Sequence, residues 1–441
     1  MVVNIADLPR YEEYKDSGSD WLGKIPSSWK LISLKHLLQF HTGGTPSSGN
    51  QLFYDGDLPW ITIADLNGRY TNKSHFLSRL GVRQARIPLT PKGSLLYSFK
   101  LSIGQVAFAS EDLYTNEAIA SFLPRDGLHL RYYFYALPIF LENNAGTNIY
   151  GAKLLNQDLI MNASILKVSP TDQLLIANFL DKKATQIDEA IAIKEQQIAL
   201  LKERKQIIIQ KAVTQGLDPN VPMKDSGVDW VGRIPAHWDM KRVKNIFRLV
   251  MEPSEKNNDY ELLSVYTDIG VKPRRELEER GNKASTTDGY WFVKKGDIVV
   301  NKLLAWMGAI GLSEYDGVTS PAYDILRPQL PVNGFFYHYL FRSGFCSAEL
   351  KRHSRGIMDM RLRLYFDRFG VIEVPYPPVN EQNEIIHSLG LQMKEMDKGI
   401  DHLNIQIDKL KEYKATLINS AVTGKIKVTP EMAGMQDAIE A

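Results

Sequence analysis

Cysteine is nearly absent. Cys346 is the single one in 441 residues, which excludes a disulfide framework and any multi-cysteine zinc or iron–sulfur site. Long apolar runs are also missing: no uninterrupted stretch approaches the ~18 residues needed to span a bilayer. Met1–Tyr14 carries Asp7, Glu12 and Glu13 without an apolar core, so no signal peptide is expected. Nor is there an excess of one charge. Lys and Arg total 53 against 51 Asp and Glu, a formal net charge of +2, which argues against a polybasic tail or a uniformly cationic surface. Apolar residues at 44% and charged residues at 24% leave enough of both to build a core. The expectation is a soluble, cytoplasmic protein with no membrane contact and about three domains' worth of chain.

What the chain does contain is a repeat. Lys15-Asp-Ser-Gly18-Ser-Asp20-Trp21-Leu-Gly23-Lys-Ile25-Pro26-Ser-Ser-Trp29 returns as Lys224-Asp-Ser-Gly227-Val-Asp229-Trp230-Val-Gly232-Arg-Ile234-Pro235-Ala-His-Trp238, at an offset of 209. Over 15–40 against 224–249, 11 of 26 positions are identical. The same offset recurs downstream, at Gln173, Ile176, Leu180, Asp188, Ile191, Ile198, Leu201, Lys205, Ala212, Val213 and Thr214. Between these anchors the copies diverge. Lys92-Gly93 aligns with Lys295-Gly296, and Asn116-Glu-Ala118 with Ser320-Pro-Ala322. Two units of one pattern, with variable middles, point to two versions of one task.

The repeated segments near residues 180–212 and 389–421 read as coiled coil. Leu180, Ala184, Ile187, Ile191, Lys194, Ile198, Leu201, Lys205, Ile208 and Ala212 keep an unbroken 4-3 spacing. Leu389, Met393, Met396, Ile400, Leu403, Ile407, Leu410, Lys414, Leu417 and Ala421 repeat it. Such spacing over several heptads favours left-handed supercoiling with a partner helix, and the first seam predicts a length of roughly 50 Å. One helix comes from each copy, so the simplest arrangement pairs them antiparallel. Two amphipathic helices on separate globular cores are the alternative. Lys205 and Lys414 occupy the same seam position, a costly choice that can set register.

The expected fold class is α+β: two mixed α/β domains separated by a pair of long antiparallel helices, with a pseudo-two-fold internal repeat. The expected boundaries are 1–41 and 217–250 for the repeated segments, 42–170 and 251–378 for the divergent domains, 171–216 and 379–426 for the helices, and 427–441 for the tail. Strands are expected at Leu58–Ile63, Ser94–Phe99, Val106–Ala109 and Ile165–Val168, then at Leu262–Tyr266, Asp297–Asn301, Tyr323–Leu326 and Val371–Val374. The aromatic runs Tyr132–Tyr135 and Phe335–Tyr339 read as helices whose rings belong to the core, not to a base-stacking platform.

Charge is uneven within the divergent regions. Residues 66–110 contain no Asp or Glu but carry seven cations: Arg69, Lys73, Arg79, Arg83, Arg86, Lys92 and Lys100. In 350–370, Lys351, Arg352, Arg355, Arg361, Arg363 and Arg368 oppose only Asp359 and Asp367. One such stretch per unit points to phosphate contacts. A solvated face balanced by acids from elsewhere in the fold is the competing explanation.

Catalytic patterns fail. Gly18 to Lys24 has phosphate-loop spacing, but Ile25 stands where Ser or Thr would hold magnesium, and the second copy reads Arg233-Ile234. Tyr376-Pro-Pro-Val379 lacks the Asp/Asn-Pro-Pro-aromatic order of base-flipping amino-methyltransferases. The nine histidines form no metal-spaced pair, and Cys346 has no obvious activating neighbour. The residues favour binding over chemistry.

The repeated Lys-Asp-Ser-Gly-x-Asp-Trp-x-Gly-x-Ile-Pro-x-x-Trp segments resemble those of specificity subunits of type I restriction-modification systems. So do Gly43-Gly-Thr-Pro-Ser47 with Leu58-Pro-Trp60, Ile103-Gly-Gln-Val-Ala107, Asn116-Glu-Ala-Ile119, and the helices ending in Ala212-Val-Thr-Gln-Gly216 and Ala421-Val-Thr-Gly-Lys425. The resemblance covers about residues 11–427, although the second divergent region lacks the Gly-Gly-Thr-Pro segment and has Trp306-Met-Gly308 in place of Ile-Gly. It implies a non-catalytic subunit with two target recognition domains, each reading half of a bipartite duplex DNA target. The helices would set the gap and dock two methyltransferase subunits. S-adenosylmethionine, ATP and magnesium would belong to those and to motor-nuclease subunits, with no cofactor or metal in this chain.

On that reading, Arg69, Lys73, Lys100, Asn116, Tyr150 and Lys153 are the DNA-contact candidates of the first domain. Lys272, Arg274, Arg275, Lys302, Arg355, Arg361 and Arg363 are those of the second. Arg and Asn suit bidentate contacts with guanine and adenine, and Lys suits phosphates. Two rivals are a nucleotide-binding enzyme built on Gly18–Lys24 and a coiled-coil protein-interaction scaffold without DNA specificity.

Overall fold

Both copies of the Lys-Asp-Ser-Gly segment form the same β-hairpin. Tyr14–Asp16 pairs with Lys24–Pro26, and Met223–Asp225 pairs with Arg233–Pro235. The turns need glycine: Gly18 and Gly227 sit at φ +74° and +73°, and their N–H groups donate to the Asp16 and Asp225 carboxylates at 2.8 and 2.9 Å. Each glycine loop therefore joins two strands instead of opening a helix, and Leu22, Ile25, Trp29, Ile234 and Trp238 bury their side chains. The phosphate-loop spacing is a packing motif.

The computed structural model describes residues 4–147, 151, 153–276, 287–357 and 361–435. It divides into two units, 1–193 with 406–441, and 194–405. In the first unit a four-stranded antiparallel sheet runs Phe40–Thr42, Ile119–Phe122, Leu95–Ser98, Val106–Phe108. In the second the order is Phe247–Val250, Tyr323–Pro328, Ile298–Asn301, Ile310–Leu312. Corresponding strands occupy the same places, so the divergent middles share one scaffold. The first unit adds the sheet His75–Leu77, Leu58–Ile61, Tyr114–Thr115. The second adds the hairpin Leu263–Tyr266 with Gly270–Pro273.

Two strands depart from expectation. The one predicted at Val371–Val374 lies at Glu373–Tyr376, paired with Asp239–Arg242, because a turn closed by the Ile372 N–H on the Phe369 carbonyl (3.1 Å) occupies its start. The one predicted at Leu58–Ile63 ends at Ile61. There Thr62 and Asp65 form a capping box that begins a helical turn.

The aromatic runs lie in helices Leu130–Asn143 and Gly334–Arg342. Tyr132, Tyr133, Tyr135, Phe336 and Tyr337 are buried core residues. A glutamine shared by the two copies holds each helix in place. Gln173 accepts from the His129 N–H (3.0 Å) and donates to the Val168 carbonyl (2.9 Å). Gln382 accepts from the Asn333 N–H (2.8 Å) and donates to the Pro377 carbonyl (2.8 Å). Both amides are at most 1% exposed, so their hydrogen bonds form in low dielectric, where an unmet partner costs most.

The long helices span Pro170–Gln215 and Val379–Val422. The first starts with Ser169 capping the Asp172 N–H at 3.1 Å and proline at the first helical position. It ends at Gly216, φ +74°. Every predicted seam residue on both helices, from Leu180 to Ala212 and from Leu389 to Ala421, is buried or half-buried. The unit boundary divides each helix, and within each unit the two helical portions lie side by side. In the first unit Lys414 pairs with Asp188 at 2.7 Å, and in the second Lys205 pairs with Asp397. Adding 209 to Lys205 and Asp188 gives Lys414 and Asp397, so one ion pair is the repeat image of the other. Lys205 and Ile209 lie beside Asp397 and Met393 in one cleft, the descending numbering of an antiparallel pair. Among the described residues no helix is long and apolar enough to cross a membrane.

Candidate nucleic-acid interface

In the first unit the strand Leu95–Ser98 is fully buried and ends in an exposed hairpin loop. Ser98 closes that loop. Its carbonyl accepts from the Gly104 N–H and its hydroxyl oxygen from the Gln105 N–H, both at 3.0 Å, while the hydroxyl donates to the Ser102 carbonyl. At the tip Leu101 is 96% exposed and holds a left-handed backbone, φ +61°. A bulky residue enters that region at a cost of roughly 1–2 kcal/mol. Lys100 beside it is exposed, with Nζ 5.7 Å from the Phe99 ring.

The strand order brings Asn116 to the same end of the sheet. The Phe99 N–H donates to the Ala118 carbonyl at 3.0 Å, and the Asn116 side chain accepts from the Ala118 N–H at 3.2 Å. Glu117 takes a hydrogen bond from Thr45. That bond, opposed by partial burial and helped by Lys100, holds the Glu117 carboxyl below its ordinary range. Gly43 permits this approach: a Cβ there would meet the Thr115 carbonyl oxygen at 1.8 Å. Lys100, Asn116 and Thr45 thus lie at the same end of the sheet as the exposed Leu101.

The acid-free stretch divides into two groups. Arg69 pairs with Asp181 of the long helix at 2.7 Å and lies 5.1 Å from the Phe134 ring centroid, so the fold itself engages its guanidinium. Burial alone would raise the Asp181 carboxyl, but hydrogen bonds from Tyr135, Arg131 and Arg69 outweigh it and hold it below the usual range. Lys73 pairs with Glu111, and Lys153 with Glu142 at 2.9 Å. Arg79, Arg83, Arg86, Lys92 and Lys100 are exposed and make no ion pair among the described residues. Tyr150 lies outside the described residues.

The second unit repeats the arrangement with different partners. The strand Ile298–Asn301 is again buried, and Lys302-Leu303 follows it directly, whereas Phe99 separates the first unit's strand from Lys100-Leu101. Lys302 donates to Asp324 at 3.1 Å and to the Pro321 carbonyl at 3.2 Å. Burial raises the Asp324 carboxyl, against the pull of Lys302. Asn301, Lys302, Leu303, Tyr323, Arg363 and Tyr365 line a cleft of about 460 Å³. Burial pushes the Tyr323 hydroxyl up, and the charge of Arg274 lowers it.

Arg355 and Arg363 exchange backbone hydrogen bonds at 3.0 and 2.9 Å, and Arg355 pairs with Asp367 at 3.1 Å. Arg361 and Arg363 are exposed without an ion pair among the described residues. Lys272 donates to the Tyr315 hydroxyl at 3.1 Å, and Arg275 pairs with Glu261 at 3.0 Å. Lys302 and Arg363 therefore meet in one cleft, while Lys272 and Arg275 have partners of their own.

Sequence reasoning missed three features: Leu101 and Leu303, Tyr365, and a second cleft of about 440 Å³ lined by Arg352, His353, Ser354, Arg355 and Arg368. The sequence held only a weak signal for the leucines, a Lys-Leu pair shortly after the corresponding strand in both copies but one position out of register. Nothing local marked Tyr365.

A sequence profile described as the type I restriction modification DNA specificity domain matches residues 26–203. The MjaIX specificity subunit of Methanocaldococcus jannaschii is 26% identical over 247 residues, 54% of this chain and 55% of that protein, so the chain spans about half the length of that relative. The EcoDI specificity subunit of Escherichia coli is 20% identical over 429 residues, 92% of this chain and 90% of that protein. Among solved structures, a chain of a type I R-M system superposes with TM-score 0.67 at 13% identity, covering 90% of this chain and 98% of that one. The HsdS subunit from Thermoanaerobacter tengcongensis gives 0.51 at 14% identity, covering 91% and 98%. At such identities the structures speak for the fold.

Proposed function

The chain belongs to the specificity subunits of type I restriction-modification systems, and from that premise we propose that it reads a bipartite DNA sequence and performs no chemistry itself. Residues 42–170 and 251–378 act as the two target recognition domains, each binding one half-site. The long helices, 171–216 and 379–426, form an antiparallel coiled coil that fixes the unspecific gap and docks two methyltransferase subunits. S-adenosylmethionine is bound by those subunits, and ATP and magnesium by motor-nuclease subunits. The complex works in the cytoplasm, where its DNA target lies.

The observation that carries this reading is the duplicated strand end. In each unit the loop after the corresponding buried strand carries a lysine and an exposed leucine, Lys100-Leu101 after Phe99 in one copy and Lys302-Leu303 directly after Asn301 in the other. Beside it lies the turn holding Asn116 in the first and Pro321 in the second. Lys100, exposed and without an ion pair among the described residues, holds a phosphate, and neighbouring polar groups reach base edges. Arg79, Arg83, Arg86, Arg361 and Arg363 extend the cationic surface of their units. Arg69 and Lys302 orient loops through their internal pairs.

The test is adenine-methylation sequencing in a host carrying this chain with its methyltransferase and motor-nuclease subunits. Two short half-sites separated by a fixed unspecific gap are expected. Inserting four residues, one helical turn, beside Ala212 lengthens that gap and leaves both half-sites unchanged. Methylation without a consensus, or a gap unmoved by the insertion in an active complex, overturns the reading.

A further inference from the structure

We propose that Leu101, and Leu303 in the loop after the corresponding strand of the second unit, are specificity-determining residues that make apolar contact with DNA bases. This rests on the DNA-reading function above. Leu101 combines two features that folding does not reward: nearly complete exposure and a left-handed backbone. Glycine enters that backbone region without steric cost, yet the position carries a large apolar side chain. Three hydrogen bonds centred on Ser98 hold the loop in this shape. Strain maintained by its surroundings in this way marks a place where the conformation has a use.

The surroundings identify the ligand chemistry. Lys100 is the adjacent residue, and Arg79, Arg83 and Arg86 lie on the same acid-free stretch. An exposed apolar tip with a cation beside it, in a domain where the exposed Arg79, Arg83 and Arg86 make no ion pair among the described residues, fits a polyanion that also offers apolar surface, as nucleic-acid bases do. Cations hold the phosphates while the leucine meets a thymine methyl or the face of a base step. Leu303 is 39% exposed, again follows a lysine, and opens onto the cleft containing Tyr365 and Arg363.

The deciding experiment uses the complex with the methyltransferase subunits and duplexes carrying the target found for the wild type. Controls are single-base variants of each half-site and a scrambled duplex. Leu101→Gly relieves the backbone, so its Tm rises, while discrimination against variants of one half-site falls about ten-fold. The salt slope and scrambled-duplex affinity stay the same, because no phosphate contact is lost. Leu101→Asn, which also tolerates the left-handed region, loses the same discrimination. Leu303→Ala loses it only in the other half-site. Wild-type discrimination retained by Leu101→Gly and Leu101→Asn, or an equal affinity loss on scrambled DNA, overturns the assignment. A wild type without target preference overturns the DNA-reading function itself, and the assignment with it.

Discussion

The two units share a strand order but fill it differently, and the difference shows which residues belong to the scaffold and which to each copy's own core. The Lys-Gly turn before the central strand is common to both. Lys92 and Lys295 donate backbone N–H to Asp112 and Asp316, each at 2.8 Å, and Gly93 and Gly296 hold φ +80° and +98°. The next position separates them. Ser94 is fully buried, and its hydroxyl finds no hydrogen-bond partner among the described residues. Asp297 is as deeply buried but receives two hydrogen bonds from Arg327, both at 2.9 Å, and one from the Lys294 N–H at 2.8 Å. One backbone thus accommodates a neutral core in one copy and a buried ion pair in the other.

The sharpest way to break that comparison is to remove Arg327. Arg327→Ala leaves Asp297 buried without its counter-charge and should destabilise the second unit by about 3–5 kcal/mol. Ser94→Ala, which removes a hydroxyl that bonds to nothing, should change the first unit by no more than ~1 kcal/mol. Hydrogen exchange on the two central strands, Leu95–Ser98 and Ile298–Asn301, measures both. Similar losses at the two sites would mean that the pair is not what holds the second sheet.

A smaller effect separates the units by pH. His338 stands where the first unit has Phe134, and burial, then the charge of Arg342, pushes its imidazole down to about 3. The folded ring is neutral, and its Nδ1 accepts from the Leu312 N–H at 3.2 Å. Below the ordinary histidine value the unfolded chain takes up a proton that the folded chain refuses, so stability falls with pH from about 6.5 towards 3. Between pH 7 and 5 the loss from His338 should be roughly 2 kcal/mol in the second unit, larger than that from His41 of the first unit, which burial also pushes down but less far. In the first unit the depressed Asp181 carboxyl adds stability that acid removes only below the ordinary aspartate range near 4, beyond the smaller loss from His41. Exchange at Ile310–Leu312 against Val106–Phe108, at pH 7 and pH 5, checks the order. Equal losses would contradict it.

The smallest effect tests where the units should agree. Lys205–Asp397 and Lys414–Asp188 are repeat images, both partly exposed, so double-mutant cycles should give each about 0.5 kcal/mol. Replacing either lysine with leucine should raise the stability of the helices, because an apolar seam residue replaces a polar one. Unequal coupling energies would show that the repeat has drifted in function as well as in sequence.

Much of this architecture was legible in the sequence. The 4-3 spacing located both long helices, and the offset of 209 paired Lys205 with Lys414 and Asp188 with Asp397 before either ion pair was seen. Six of the eight expected strands appear with ends within a residue or so, and the aromatic runs lie in buried helices as expected. The site was less legible. Seven cations without an intervening acid looked like one surface, yet Arg69 is held by Asp181 and Lys73 by Glu111. Asp181 is 112 positions from Arg69, and no local pattern ties them. Leu101 reads as one more apolar residue after a strand, because exposure and backbone sign are properties of a closed loop.

The sequence by itself therefore determined the duplication, the helices, the buried tryptophans and the absence of a recognisable catalytic motif. These depend on spacing and composition, which are local and periodic. Only the tertiary structure decided which cations remain free, that Lys302 and Arg363 share a cleft, and that one leucine is turned out to solvent. Those outcomes depend on distances between residues far apart in the chain, set when the sheet and helices close around one core.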